Sequence, residues 1–300
     1  MAGCVVPDNA DVFDAFEEVI AARPDISPWC SDEDGLVQYR PDHELLEDLV
    51  GIPVGEGRAS GSGRLAKAID AWVAHELRRC GFLPDEVWPR LKKPRVLPRE
   101  VGLFLDGLPQ GMKQATLEQV LRNKRVAPSD ARVLGRAYVK QVDVLVAQWS
   151  RGPELLVSTK SMVSSFRNNL PNRFEEAYGD AKNLRGRYPL AAMGFLFVLR
   201  STVLDERGTF ERVVDMLRKL REEPDVYDTT CLVLADWSDE VFDGVRLRQD
   251  SVPPDLDTAQ FIATLVERVL TQTPVEMHVA VRERLENRPL LLDEEDAPAG

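Results

Sequence analysis

Apolar positions follow two different periods along the chain, and the change falls near residue 130. Before it the spacing is helical. Residues 11–22 (DVFDAFEEVIAA) and 42–50 (DHELLEDLV) place apolar side chains three and four apart. Residues 62–82 repeat Leu65, Ala68, Ile69, Trp72, Val73 and Leu77, which predicts an amphipathic helix with Ser62 as its cap. Glu76 lies beside this apolar stripe rather than opposite it. Residues 116–125 (TLEQVLRNKR) predict a further helix. Between these elements, residues 51–64 (GIPVGEGRASGSGR) are rich in Gly and Ser and predict a flexible connection. Its GEGRASG lacks the preceding strand and the Gly-Lys-Ser/Thr ending of a phosphate-cradling loop.

From Arg132 onward strands appear. Residues 132–140 (RVLGRAYVK), 141–150 (QVDVLVAQWS) and 154–161 (ELLVSTKS) predict three strands, the last two joined by a turn at Gly152-Pro153. A helix capped by Asn168 or Asn169 follows, with Pro171 in its first turn and Leu170, Phe174, Ala177, Ala181 and Leu184 on one face. Then come a buried strand within 188–200, a helix within 206–223, a strand within 227–239 and a helix over 258–272. The tail after Pro289 predicts disorder. Short turns make the first three strands an antiparallel meander, and helical crossovers add the later strands in parallel. The expected class is α/β, a mixed sheet with helices on both faces.

Composition changes this picture little, and charge changes it more. Cys4, Cys30, Cys80 and Cys231 are far apart with no CxxC pair, which predicts reduced thiols and a cytoplasmic protein. His43, His75 and His278 are equally scattered and give no support to a His-based triad or metal site. The N-terminus predicts no signal peptide, and no apolar run is long enough for a membrane span. Trp72, Trp88, Trp149 and Trp237 are scattered and read as core. The net charge of −12 is unevenly placed. Residues 1–60 carry 14 acids and 3 bases, and residues 222–300 carry 19 acids and 6 bases. Residues 122–221 carry 10 acids and 19 bases. A basic centre between acidic ends is the asymmetry of a chain whose centre meets a polyanion. The acidic ends are candidates to dock a partner subunit or to shield that centre.

Two charges sit inside the apolar strands. Asp143 lies nine residues before Gly152 and Lys160 eight after it, so a hairpin with its turn there can place them side by side. Burying an ion without a partner costs several kcal/mol or shifts its pKa, so the two charges either sit at strand ends in water or meet in one site. With "VDVLV" and "LLVSTK" placed in this element order, the chain resembles the PD-(D/E)xK nuclease superfamily, to which many restriction enzymes belong. That family has an acid on one strand and an acid-x-Lys triplet on the next, inside an αβββαβ core. The resemblance covers residues 65–200, roughly half the chain.

The triplet departs from the pattern at Ser158, where an acid is expected. A restriction-enzyme subgroup also has Ser-x-Lys and takes its missing carboxylate from the following helix, where this sequence has Glu175 and Glu176. The resemblance thus implies a restriction-endonuclease-like core and a metal-dependent DNA endonuclease of restriction or phage-defence type. Its catalytic residues would be Asp143, Ser158, Lys160, and Glu175 or Glu176. Mg²⁺ or Mn²⁺ would be held by Asp143, Glu175 or Glu176 and the backbone carbonyl of Thr159, with Glu76 as an outer ligand. Arg167, Asn168 and Arg173 flank the helix start and are the expected DNA-phosphate contacts. Restriction-type relatives suggest a homodimer. The organisation expected is an acidic helical segment over 1–60, a nuclease-like α/β domain over 61–275, and a C-terminal helix end and tail over 276–300. The alternative is a catalytically inactive nuclease-like fold that binds nucleic acid or a partner protein.

Overall fold

Near-continuous apolar runs form the middle of the sheet, because a strand covered by helices on both faces has no side to leave polar. The computed structural model describes residues 13–31, 36–59 and 63–290. Its elements begin with α1 (Asp14–Ala21), β1 (Trp29–Ser31), β2 (Val37–Tyr39), α2 (His43–Gly55) and α3 (Arg64–Arg79). Next come β3 (Val87–Trp88), α4 (Arg99–Asp106), α5 (Gln110–Arg122), β4 (Ala131–Leu134) and β5 (Val139–Val142). Then follow β6 (Val144–Gln148), β7 (Gly152–Met162), α6 (Phe166–Arg185), β8 (Ala192–Arg200) and α7 (Thr209–Glu222). Last are β9 (Thr229–Asp236), β10 (Arg246–Leu247), α8 (Thr258–Gln272) and α9 (Val279–Glu286). The Ser62 cap and the tail beyond residue 290 lie outside the described residues.

The central sheet has the order β10–β9–β8–β7–β6–β3. β7, β8 and β9 run parallel, while β6 is antiparallel to β7, β3 to β6 and β10 to β9. The fold is therefore α/β with a mixed sheet between helices. Alternate strand residues serve two cores. On one face Val144, Val157, Leu196 and Val233 pack with α1, α2, α3 and α8. On the other, Leu145, Leu156, Phe195 and Leu232 pack with α6 and α7. Ile69 and Leu77 of α3 are fully buried, and each such side chain contributes about 1.5–3 kcal/mol through lost apolar surface. The Trp72 indole N–H donates to the Asp42 carbonyl at 2.8 Å, while the Asp42 side chain accepts from the Leu45 amide at 2.9 Å and caps α2. The N-terminal segment thus shares its core with the sheet. Part of its acidity is spent internally: Asp14 pairs with Lys93 and Arg95, and Asp48 with Arg23. Among the described residues, no helix is long and apolar enough to cross a membrane.

Five features differ from the sequence reading. The expected meander strand over 132–140 folds back on itself as β4 and β5, a separate two-stranded ribbon. Its turn is held by α6. The Asn183 side-chain oxygen accepts from the amides of Ala137 and Tyr138, and its amide donates to the Tyr138 carbonyl. Gly135 permits this approach, since a Cβ there would lie 2.2–2.5 Å from the Asn183 side chain. The place beside β6 goes to the short β3 instead. Secondly, residues 141–150 are not one strand, because the chain breaks at Asp143 between β5 and β6. Thirdly, helix α2 continues through Gly55, burying Pro53 and Val54, so the first residues of the expected flexible connection are helical instead. Fourthly, α6 starts at Phe166, with Ser165 rather than Asn168 or Asn169 at its cap position and Pro171 inside. α5 likewise starts earlier than expected. Fifthly, Trp149 is 86% exposed at the β6–β7 turn and is not core.

Candidate active site

The β6–β7 ladder ends at Val144 and Val157, while β7 continues to Met162. Beyond that rung the Thr159 amide has no β6 backbone to meet. It donates instead to Asp143 Oδ2 at 2.9 Å, so the carboxylate substitutes for the missing strand. The Thr159 side chain points to the α3 face, where its hydroxyl donates to Asp70 Oδ1 at 2.5 Å. One residue of β7 thus ties Asp143 to Asp70. Lys67, one turn earlier on α3, pairs with Asp70 Oδ2 at 3.3 Å and with Asp130 at 3.4 Å.

Lys160 emerges on the other face of β7 and meets Glu176 of α6 at 3.5 Å. Arg173 pairs with the same carboxylate at 2.8 Å. One turn further along α6, Asp180 pairs with Lys140 of β5 and accepts from the Tyr138 hydroxyl. Asp143, Asp70, Lys160 and Glu176 therefore gather around the point where β6 and β7 part.

The electrostatics are those of a strained cluster. Asp70 is 1% exposed. Burial, and then the charge of Asp143, push its carboxyl up to about 7 against the pull of Lys67 and Thr159. Burial also raises Asp143, opposed by Lys160, the Thr159 amide and two further lysines. Glu176 goes the other way: partial burial would raise it, but Lys160 and Arg173 hold it below the usual carboxylate range. Two desolvated carboxylates, one of them raised further by the charge of the other, are an arrangement found where a cation or proton is handled.

The sequence-derived candidates divide accordingly. Asp143, Thr159, Lys160 and Glu176 are brought together. Glu175 is exposed on the neighbouring position of α6. Ser158 is buried and its hydroxyl hydrogen-bonds Tyr227, so it serves the core beneath α6. Glu76 is corrected: its two oxygens are held by the Tyr39 hydroxyl, the Asp42 amide and Arg79, so α3 sends Asp70 to Asp143 instead. Arg167 and Asn168 are exposed in the first turn of α6, with Arg167 donating to the Arg207 carbonyl. Arg173 is committed to Glu176. Asp70, Lys67, Lys140 and Asp180 were not singled out from the sequence. For Asp70 a signal existed, a lone acid inside the apolar run Ala68-Ile69-Asp70-Ala71-Trp72.

The donor set suits a hard divalent cation. Among the described residues no three His, Cys, Asp or Glu side chains converge to hold an ion by themselves. Mg²⁺, however, takes one or two carboxylates and completes its shell with water and substrate phosphate. Asp70 and Asp143 provide such a pair, and a cation between them would offset the burial that raises both. Comparison of the chain with protein-family models, curated proteins and solved structures finds no match.

Proposed function

We propose that this chain is a divalent-metal-dependent endonuclease acting on DNA, of the PD-(D/E)xK type that its strand motifs resemble. The observation that carries the proposal is the Asp143 carboxylate held by the Thr159 amide, one residue from Lys160, where β6 and β7 part, with Glu176 of the next helix against Lys160. Element order supports it. Taken in turn, α3, β3, β6, β7, α6 and β8 run in the order αβββαβ, with β8 parallel to β7. α4, α5, β4 and β5 form an insertion after the first strand.

In this reading Asp143 and Asp70, with the Thr159 carbonyl, would hold Mg²⁺ or Mn²⁺, while Glu176 keeps its place on Lys160. When bound, such an ion neutralises a phosphate oxygen and lowers the pKa of its water. The chain's own residues prepare the rest. The Thr159 amide fixes the orientation of Asp143. Lys160, anchored by Glu176, presents a cation to the attacking water and to the charge that develops on phosphorus oxygens. Glu176 supplies the carboxylate beside Lys160 that Ser158 cannot.

A second reading, an inactive fold that binds nucleic acid, draws on the same Ser158 and on the tie of Glu176 to two cations. Mg²⁺-dependent cleavage of plasmid and phage DNA separates the two. The nuclease reading expects cleavage by the wild type and its loss in Asp143→Ala and Lys160→Ala. Bound but intact DNA across modified and unmodified substrates would leave the binding fold.

A further inference from the structure

The β4–β5 ribbon has two unlike faces. Inward are Ala131, Val133, Lys140 and Val142, buried or half-buried against α6 and the site. Outward are Arg132, Leu134, Val139 and Gln141, all exposed. The register makes Arg132 the cross-strand partner of Gln141 and Leu134 that of Val139. Leu134 and Val139 are 48% and 58% exposed, an unusual use of apolar side chains on a ribbon that covers nothing else.

Charge gives this face a partner. Residues 122–140 hold six cations and one acid in a chain of net charge −12. The acid, Asp130, is turned inward to Lys67. Arg122, Lys124, Arg125, Arg132 and Arg136 are exposed, and none makes an ion pair among the described residues. Exposed arginines elsewhere, such as Arg207 and Arg212, also lack ion pairs, so it is the local excess of cations over acids that sets this stretch apart. Five exposed cations within fifteen residues, on and just before the ribbon, offer a surface to an external polyanion.

The ribbon is also fixed relative to the chemistry. β5 runs straight into Asp143, and α6 grips the turn through Asn183 and the inward face through Asp180. A two-stranded ribbon fits the major groove of B-form DNA, where Arg and Gln side chains read purine edges. The deep, narrow major groove of RNA helices does not admit one.

We propose that the β4–β5 ribbon is the element that grips and reads duplex DNA. Arg122, Lys124, Arg125 and Arg136 meet phosphates, and the outward face with Arg132 and Gln141 enters the groove. This rests on the nuclease reading for its substrate, and binding without metal tests it separately.

The test is fluorescence anisotropy of the full chain on a labelled duplex in EDTA, over a range of NaCl. The ribbon variant carries Arg122→Gln, Lys124→Gln, Arg125→Gln and Arg136→Gln. The control carries Arg207→Gln and Arg212→Gln, exposed on or just before α7. Each phosphate contact contributes about 0.9 to the slope of log affinity against log salt, so the ribbon variant should lose about 3–4 from that slope and bind about tenfold or more weakly. The control should match wild type, and Arg132→Ala should flatten preference among duplex sequences. A ribbon variant that binds like wild type overturns the proposal, as does wild type that ignores duplex DNA or prefers RNA. Ribbon-dependent binding with no Mg²⁺-dependent cleavage would sink the nuclease reading alone, and cleavage by an unimpaired ribbon variant would sink this one alone.

Discussion

Replacing Asp70 by Asn should stabilise the protein at neutral pH while destroying its proposed metal site. Asp70 loses its proton near 3.8 when unfolded and near 7 when folded, first because it is buried and then because Asp143 is close. Between those values the folded state holds more protons, so its stability falls as pH rises. Each tenfold change in proton affinity is worth about 1.4 kcal/mol, which sets a ceiling of about 4 kcal/mol on the loss. Asn keeps the carbonyl that accepts from Thr159 and never ionises. Lys67 loses one partner but keeps Asp130 and some solvent. Urea denaturation of wild type and Asp70→Asn across about pH 4–8 measures the difference. It should be smallest near pH 4 and grow in favour of Asn up to about pH 7, then level off. Mg²⁺ at the upper end should raise wild-type stability by mass action and leave the variant unmoved. A difference that is flat with pH, or that favours Asp throughout, would show that Lys67 and Thr159 fully compensate the charge.

Three other outcomes are expected. Glu176→Gln should slow Mg²⁺-dependent plasmid nicking by about 100-fold or more, because Lys160 loses its anchor, whereas Glu175→Gln should nick at close to the wild-type rate. His75 is held at about 4, mainly by burial and next by Arg79, so it stays neutral in the fold while the unfolded chain titrates at 6.5. Its contribution is complete above that value and is lost as pH falls towards 4, up to about 3 kcal/mol, so the acid sensitivity of unfolding should be reduced in His75→Gln by that much. Gly194→Ala should lower unfolding free energy by about 1–3 kcal/mol in denaturant titrations, since its Cβ would sit 2.7 Å from the Phe261 ring, and Phe261→Leu should restore part of the loss.

The sheet was legible in the sequence where burial alone decides structure. β8 and β9 are apolar on both faces, and α8, with its Asp257 cap, lies where its periodicity put it. Counting outward from one turn placed Asp143 and Lys160 near the same end of the hairpin, but did not show that the Asp143 carboxylate meets the Thr159 amide. What failed depended on contacts distant in sequence. The 132–140 segment has strand chemistry, but whether it joins the sheet is settled by Asn183, some fifty positions later. Glu76 and Asp70 both lie near the apolar stripe of α3. The choice between them depends on Tyr39 and Arg79 taking one and Thr159 taking the other. Glu175 and Glu176 are equivalent by composition, and only the rotation of α6 separates them.

That rotation has a consequence for how the chain can change over evolutionary time. Glu176, Asp180 and Asn183 occupy one stripe of α6, spaced four and three apart, and each holds a different part of the molecule: Lys160, Lys140 and the ribbon turn. The span between the first and last is seven residues, about 10 Å of helix. A single residue gained or lost within it would turn everything beyond by about 100° and release at least one grip. Indels should therefore be purged between 176 and 183, while substitutions at the outward positions between them drift freely. The helix acts as a ruler, and among descendants of this sequence its length should outlast the letters written along it.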